Sequence, residues 1–159
     1  MYYASVLLLM LVLPLGSIAA EYTVYHSDLP LMLLIGKWFV FWSAGVRLFV
    51  AGLRQVIQPR FTSEVIFGIK GDDPLPIVRE LGLANFATGL VAILSLVEPQ
   101  FLLPVAIVAA IFYGGAGVFH VTSAHRNRLE NTAMISDLAI SAVFAAYVVY
   151  EVNQRWPMF

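Results

Sequence analysis

Long apolar stretches alternate with short polar connections along the whole chain. Five of these stretches are long enough to cross the hydrocarbon core of a bilayer, which takes about 20 residues of α-helix. Strands of a membrane barrel would be about 10 residues long and would alternate in polarity, which these stretches do not. The pattern therefore predicts an all-α integral membrane bundle of five transmembrane helices in one domain, 1–159, with spans at about 2–20, 31–53, 77–97, 101–121 and 132–150.

The first stretch has two interpretations. Ser17-Ile18-Ala19 is similar to the small-residue cleavage site of a signal peptide. However, Met1-Tyr2-Tyr3 carries no positive charge, whereas a signal peptide begins with a basic region. We therefore expect a retained N-terminal helix that accompanies a four-helix core.

Composition supports a membrane location and excludes several functions. Only 12% of the residues are charged and 60% are hydrophobic, whereas a soluble domain carries about 25% charge. The net charge of −1 argues against a general nucleic-acid binder, which needs a basic surface. The absence of cysteine excludes disulfides, thiolate nucleophiles and iron–sulfur clusters.

Basic residues concentrate in alternate connections. The connection between spans two and three and its flanks carry Arg54, Arg60, Lys70 and Arg79, and the connection between spans four and five carries Arg126 and Arg128. Residues 21–30, between spans one and two, carry no Lys or Arg. The positive-inside rule then places the N-terminus in the cytoplasm.

The longest connection, 55–76, is too apolar for a solvated loop. Residues 62–67 are predicted to form one or two turns of amphipathic helix behind an N-cap hydroxyl, so we expect the segment to lie along the membrane surface. Gly71-Asp72-Asp73-Pro74 then forms a turn. Two adjacent acids without further ligands do not make a cation site.

Polar residues within the spans collect near the cytoplasmic face. Arg47 and Asp137 each lie about 10 Å from that face, at 1.5 Å of rise per residue. Because they are the only opposite charges at matching depth, we predict that they form an ion pair. The predicted intramembrane polar cluster is Arg47, Glu80, Asn85, His120, Glu130, Asn131 and Asp137.

Two interpretations of this cluster stay open. Buried ion pairs and hydrogen bonds often only fix helix register, whereas polar groups in lipid also mark ligand or catalytic sites. His120 and His125 are five residues apart, so they lie on different helix faces and do not form a metal pair. We expect no metal, no haem or other cofactor, and no catalytic residue.

Small residues recur every four positions in three spans. Ala106, Ala110 and Gly114 do so in span four, and Ala133, Asp137, Ser141 and Ala145 in span five. Span three has Asn85 and Gly89 at the same spacing. Since small residues allow close helix contact in lipid, we expect spans three to five to form the tight core. Trp38 and Trp42 make span two bulky, so we expect it to be peripheral.

Several segments together carry a family resemblance. They are Trp38-Phe39-Val40-Phe41-Trp42, Gly45-Val46-Arg47, Phe67-Gly68-Ile69, residues 78–85, Gly117-Val118-Phe119-His120 and Asn127-Arg128-Leu129-Glu130-Asn131. The chain resembles, over about 34–150, an uncharacterised family of small bacterial inner-membrane proteins, loosely similar in layout to DoxX-like four-helix proteins. The resemblance implies a membrane location and a bundle fold, and it implies no activity.

Three functions are compatible with these features. The first is a non-enzymatic accessory or structural subunit of a membrane complex, or a homo-oligomer, with membrane lipids, other subunits or a second copy as partners. The alternative is a membrane enzyme or carrier that binds a lipophilic molecule, such as a quinone, lipid or pigment, at the polar cluster. A transporter is disfavoured, because there is no internal repeat and no pair of broken helices.

Overall fold

The fold is an all-α bundle, as the sequence predicts. The computed structural model describes residues 2–122 and 127–155, so His125 and Arg126 of the sequence analysis lie outside it. Within that part of the chain, five helices are long and apolar enough to span a membrane. They are α1 (Tyr3–Thr23), α2 (Leu31–Ile57), α3 (Leu75–Leu94), α4 (Pro99–Thr122) and α5 (Arg128–Arg155). Helices α1 and α2 extend beyond the predicted spans at their C-terminal ends, and α4 and α5 extend beyond them at both ends. Helix α3 begins and ends earlier than predicted.

Helix α2 lies at the centre of the bundle, so the expectation that it is peripheral is wrong. It is the most buried of the five helices, and its residues Leu34, Val40 and Ala44 have no exposed surface. The aromatic residues that suggested a peripheral position instead reach the neighbouring helix α1. The indole of Trp42 donates a hydrogen bond to Ser17 Oγ at 3.0 Å.

Glycines join α2 to α3 along a close backbone contact. A Cβ added at Gly52 would lie 2.5 Å from the carbonyl oxygen of Gly82, and one added at Gly89 would lie 2.8 Å from that of Gly45. Span three therefore packs against span two, and the predicted close contact of span three with spans four and five is wrong. Gly45 and Gly52 are seven residues apart, as are Gly82 and Gly89, so each pair lies on one helix face.

The predicted close contact between α4 and α5 is confirmed. Ser141 Oγ donates a hydrogen bond to the Ala110 carbonyl at 2.8 Å, and a Cβ added at Gly114 would lie at the same distance from that hydroxyl. Gly117 faces Leu138 on the same line of contact. The bundle thus consists of two tight pairs, α2 with α3 and α4 with α5, joined by contacts of α2 with α4 and α5 and by α1.

Polar contacts hold α1 against α2 at two levels of the bundle. Near the end that carries Thr23, Glu21 accepts hydrogen bonds from Lys37 Nζ at 2.8 Å and from the Trp38 indole at 2.6 Å. Helix α1 includes Glu21, which the sequence analysis assigned to a connection. Deeper in the bundle, Ser43 Oγ donates to the carbonyl of Leu9 at 3.2 Å.

Both helices widen into π-helical turns where they meet. These turns are Leu8–Val12 in α1 and Val40–Val46 in α2. A π-helical turn interrupts the regular backbone hydrogen bonds of the α-helix. In lipid, each carbonyl that loses its backbone partner needs another hydrogen-bond donor. Ser43 supplies one to Leu9, and the hydroxyl of Tyr113 supplies one to the Ser43 carbonyl at 2.5 Å. The turn in α2 ends directly before Arg47.

The connection between α2 and α3 packs onto the end of the bundle, where Thr62, Ser63 and Ile66 are buried. Its place along the membrane surface stays a prediction. It contains a short π-helix, Phe61–Ile66, whose first residue is preceded by Arg60 without a side-chain cap. Arg60 pairs with Glu64 at 2.9 Å and with Asp72. The hydrogen bond to Glu64, followed by the charge of Asp72, raises the pKa of the Arg60 guanidinium. The acidic turn therefore has an arginine partner.

Candidate functional site

An open cavity of about 530 Å³ lies between the helices at one end of the bundle. We call this end the basic end, because it carries Arg54, Arg60, Lys70, Arg79 and Arg128. The volume falls in the range of small-molecule sites, about 300–1,000 Å³. All five helices and the α2–α3 connection line it, and five residues of the predicted polar cluster are among the lining residues: Arg47, Asn85, His120, Glu130 and Asp137.

The predicted ion pair between Arg47 and Asp137 is confirmed. Arg47 Nη2 lies 3.1 Å from Asp137 Oδ1, and their side chains are 15% and 9% exposed. The guanidinium also lies over the ring of Tyr113, 5.1 Å from its centroid. The Tyr113 hydroxyl is held by the Ser43 carbonyl, so the π-helical turn of α2 fixes the aromatic wall beside Arg47.

Two further polar pairs, together with Arg47 and Asp137, form what we call the polar wall of the cavity. Asn85 Nδ2 donates to Gln55 Oε1 at 2.8 Å, which joins α3 to α2 inside the cavity. His120 Nδ1 lies 3.1 Å from Glu130 Oε1, which joins α4 to α5. Each charged or amide side chain of the polar wall therefore faces a complementary one.

The α2–α3 connection forms the roof of the cavity. Phe61, Thr62, Ile66 and Phe67 all line it, and the ring of Phe67 stacks on His120 with centroids 6.1 Å apart. Asn127 holds this roof in place.

Asn127 acts in two directions at the start of α5. Its Oδ1 accepts the backbone N–H of Glu130 at 2.9 Å, which caps the helix. Its Nδ2 donates to the carbonyl of Ile66 at 3.0 Å. Asn127, which caps α5, therefore positions both Glu130 and the roof of the cavity.

Two members of the predicted cluster lie outside the cavity. Glu80 is exposed, and since α3 begins at Leu75 it falls in the second helical turn, beyond the first-turn position that the sequence analysis gave it. It lies five residues from Asn85, which rotates it by about 140° around the helix. Asn131 is exposed because it lies one residue, about 100°, beyond the buried Glu130.

The lining residues that the predicted cluster lacked include Arg54, Gln55 and Tyr113. Arg54 and Gln55 were expected in the connection that follows span two, but α2 continues to Ile57 and brings both to the cavity. Tyr113 was overlooked as one more aromatic residue in an apolar span. A tyrosine in mid-span needs a hydrogen-bond partner for its hydroxyl, and that requirement is the signal that points to it.

The side chains of the polar wall are paired with one another. The charge of Arg47 meets that of Asp137, and the other two pairs are an amide pair and a histidine–carboxylate pair. Such a wall favours an uncharged polar group, such as a carbonyl or hydroxyl, over a free ion. The other walls are apolar and include Val6, Leu9, Leu48, Val50 and Phe112. No group of three metal-ligating side chains occurs in the described part of the chain.

The comparisons with known proteins identify the family. The chain belongs to DUF6790, a family of unknown function that matches residues 2–155. The match includes α1, which the resemblance in the sequence analysis left out. No curated protein and no solved structure matches the chain.

Proposed function

We propose that this member of DUF6790 binds a lipophilic small molecule in the cavity at its basic end. The observation that carries the proposal is that five polar side chains, drawn from α2, α3, α4 and α5, line an open cavity. A network that only fixed helix register would be packed shut, because lipid-embedded cores gain stability from close contact. The uncharged polar group of the ligand faces Arg47, Asn85 and His120, and its apolar part lies against Leu48 and Phe112.

Access from the bilayer supports a lipophilic ligand. Val50 and Phe119 line the cavity, yet they are 53% and 80% exposed on the apolar surface of the bundle. The rim of the cavity therefore reaches the lipid-facing surface. A molecule dissolved in the bilayer enters there without crossing water.

The location and orientation belong to the same proposal. We place the basic end in the cytoplasm and the protein in the inner membrane, because positive residues favour the cytoplasmic side. The cavity then opens in the cytoplasmic half of the bilayer. The alternative role as a subunit of a complex stays a prediction, and it requires no cavity.

The test compares ligand binding by the wild-type protein with binding by a variant in which a larger side chain fills the cavity. Native mass spectrometry of protein gently purified from its own membrane should show a bound small molecule on the wild type. Ala116→Phe should remove it, because Ala116 lines the cavity. Ala87→Phe is the matched control, since Ala87 is an exposed alanine of α3 outside the cavity. Wild-type protein without a bound molecule, or equal occupancy in both variants, would contradict the proposal.

A further inference from the structure

Arg54 differs from the other charged residues of the cavity. Arg47 is paired with Asp137 and His120 with Glu130, whereas no described carboxylate forms an ion pair with Arg54. The Arg54 guanidinium lies over the ring of Phe61, 3.4 Å from its centroid. Stacking on a ring uses the face of a guanidinium and leaves its N–H edge for an acceptor.

The position of Arg54 matches the head group of an amphiphile. Arg54 is exposed near the end of α2 and lines the cavity, two helical turns closer to the basic end than Arg47, which is about 10 Å. An acid bound there would stay close to the membrane surface. The rest of the molecule would run along the polar wall, between apolar side chains.

We infer that the ligand is an acidic amphiphile whose phosphate or carboxylate binds Arg54. The inference rests on the proposed function and names the class of ligand. A planar guanidinium edge binds phosphate and carboxylate oxygens through paired hydrogen bonds. An uncharged carbonyl or ester of the same molecule faces the polar wall, and its chain fills the apolar part of the cavity. A quinone, which has no acidic group, would leave Arg54 unused.

Helix stability and membrane orientation also favour a basic residue at this point. Arg54 lies in the last turn of α2, where the helix dipole favours a cation, and it belongs to the basic end. Neither effect requires an arginine that lines a cavity. Arg60 shows the difference, since it belongs to the same end but pairs with Glu64 and Asp72 and lies outside the lining.

The experiment compares two probes that differ only in the acid. Oleoyl lysophosphatidic acid and monoolein share a glycerol ester and an oleoyl chain, and only the first carries a phosphate. Binding to the purified full-length protein in maltoside micelles is followed by native mass spectrometry. We expect the phosphate probe to bind about tenfold more tightly, as one charge-assisted contact contributes. Arg54→Gln should abolish that difference, so that the two probes bind with equal affinity.

Three controls separate the outcomes. Arg60→Gln should leave both probes unaffected, and an equal loss in Arg54→Gln and Arg60→Gln would overturn the inference in favour of general surface charge. If millimolar inorganic phosphate displaced the phosphate probe from the protein, the inference that the ligand is an amphiphile would be overturned. Equal binding of both probes, lost in Ala116→Phe, would refute the acidic head group and leave the proposed function standing. Binding of neither probe, with no bound molecule on native protein, would refute both.

Discussion

Replacing one member of the Arg47–Asp137 pair should destabilise the protein more than replacing both. The two side chains are 3.1 Å apart and nearly buried, so neither charge reaches bulk water without rearrangement. Removing one partner of a buried pair costs about 3–5 kcal/mol, whereas replacing both by apolar groups is often close to neutral. The open cavity beside the pair places this protein at the lower end of that range.

The structure separates the two single variants. Arg47→Met leaves the short Asp137 side chain fixed on α5, and we expect a loss of about 3 kcal/mol in the free energy of unfolding. Asp137→Leu leaves the long side chain of Arg47, which can snorkel toward the basic end and keep its contact with Tyr113. We therefore expect a smaller loss in the free energy of unfolding, about 2 kcal/mol. The double variant should lose only about 1 kcal/mol, less than either single variant, which gives a coupling free energy of about 4 kcal/mol.

The assay is reversible unfolding in mixed micelles, followed by far-ultraviolet circular dichroism during titration with sodium dodecyl sulfate. Lys37→Met combined with Asp137→Leu is the matched control. Lys37 pairs with Glu21 at the opposite end of the bundle, so that combination should be additive within about 0.5 kcal/mol. Additive losses for Arg47→Met and Asp137→Leu would refute the energetic pairing, whatever their distance.

Two further outcomes are expected. Gly52→Ala should destabilise the bundle by about 1–3 kcal/mol in the same assay, since the new Cβ meets the rigid backbone of Gly82 and Phe86, whereas Gly115→Ala should be neutral because its Cβ enters open space. Equal effects of the two substitutions would show that close α2–α3 contact does not stabilise the fold. A reporter fused after Phe159 should be active only outside the cytoplasm, since an odd number of spans separates it from a cytoplasmic N-terminus. If a reporter fused at the same position were instead active in the cytoplasm, the orientation of the protein would be the opposite of the one proposed.

The helices of this protein follow from its sequence alone. Each helix satisfies its own backbone hydrogen bonds, and the thickness of a bilayer sets its length, so apolar runs suffice to locate it. The constant rise per residue also determines depth. Arg47 and Asp137 could therefore be matched across a separation of 90 residues, and the structure confirms the pair.

The neighbours of each helix were decided only by the tertiary structure. In lipid no hydrophobic effect selects a partner, so small-residue faces compete on shape alone. Four helices offer such faces, and the register of Gly45 and Gly52 with Gly82 and Gly89 favours α2 with α3. The bulk of Trp38 and Trp42 suggested a peripheral helix, whereas Gly45 and Gly52, which follow them in the chain, make the close contact.

The cavity also required the tertiary structure. Depth alone grouped Glu80 with Asn85, but the rotation between them around α3 places Glu80 outside the lining. The roof depends on a contact between Asn127 and Ile66, which are far apart in sequence and which no local pattern relates. Local hydrogen bonding and the bilayer determine where helices run, whereas long-range side-chain packing determines which of their faces enclose a space.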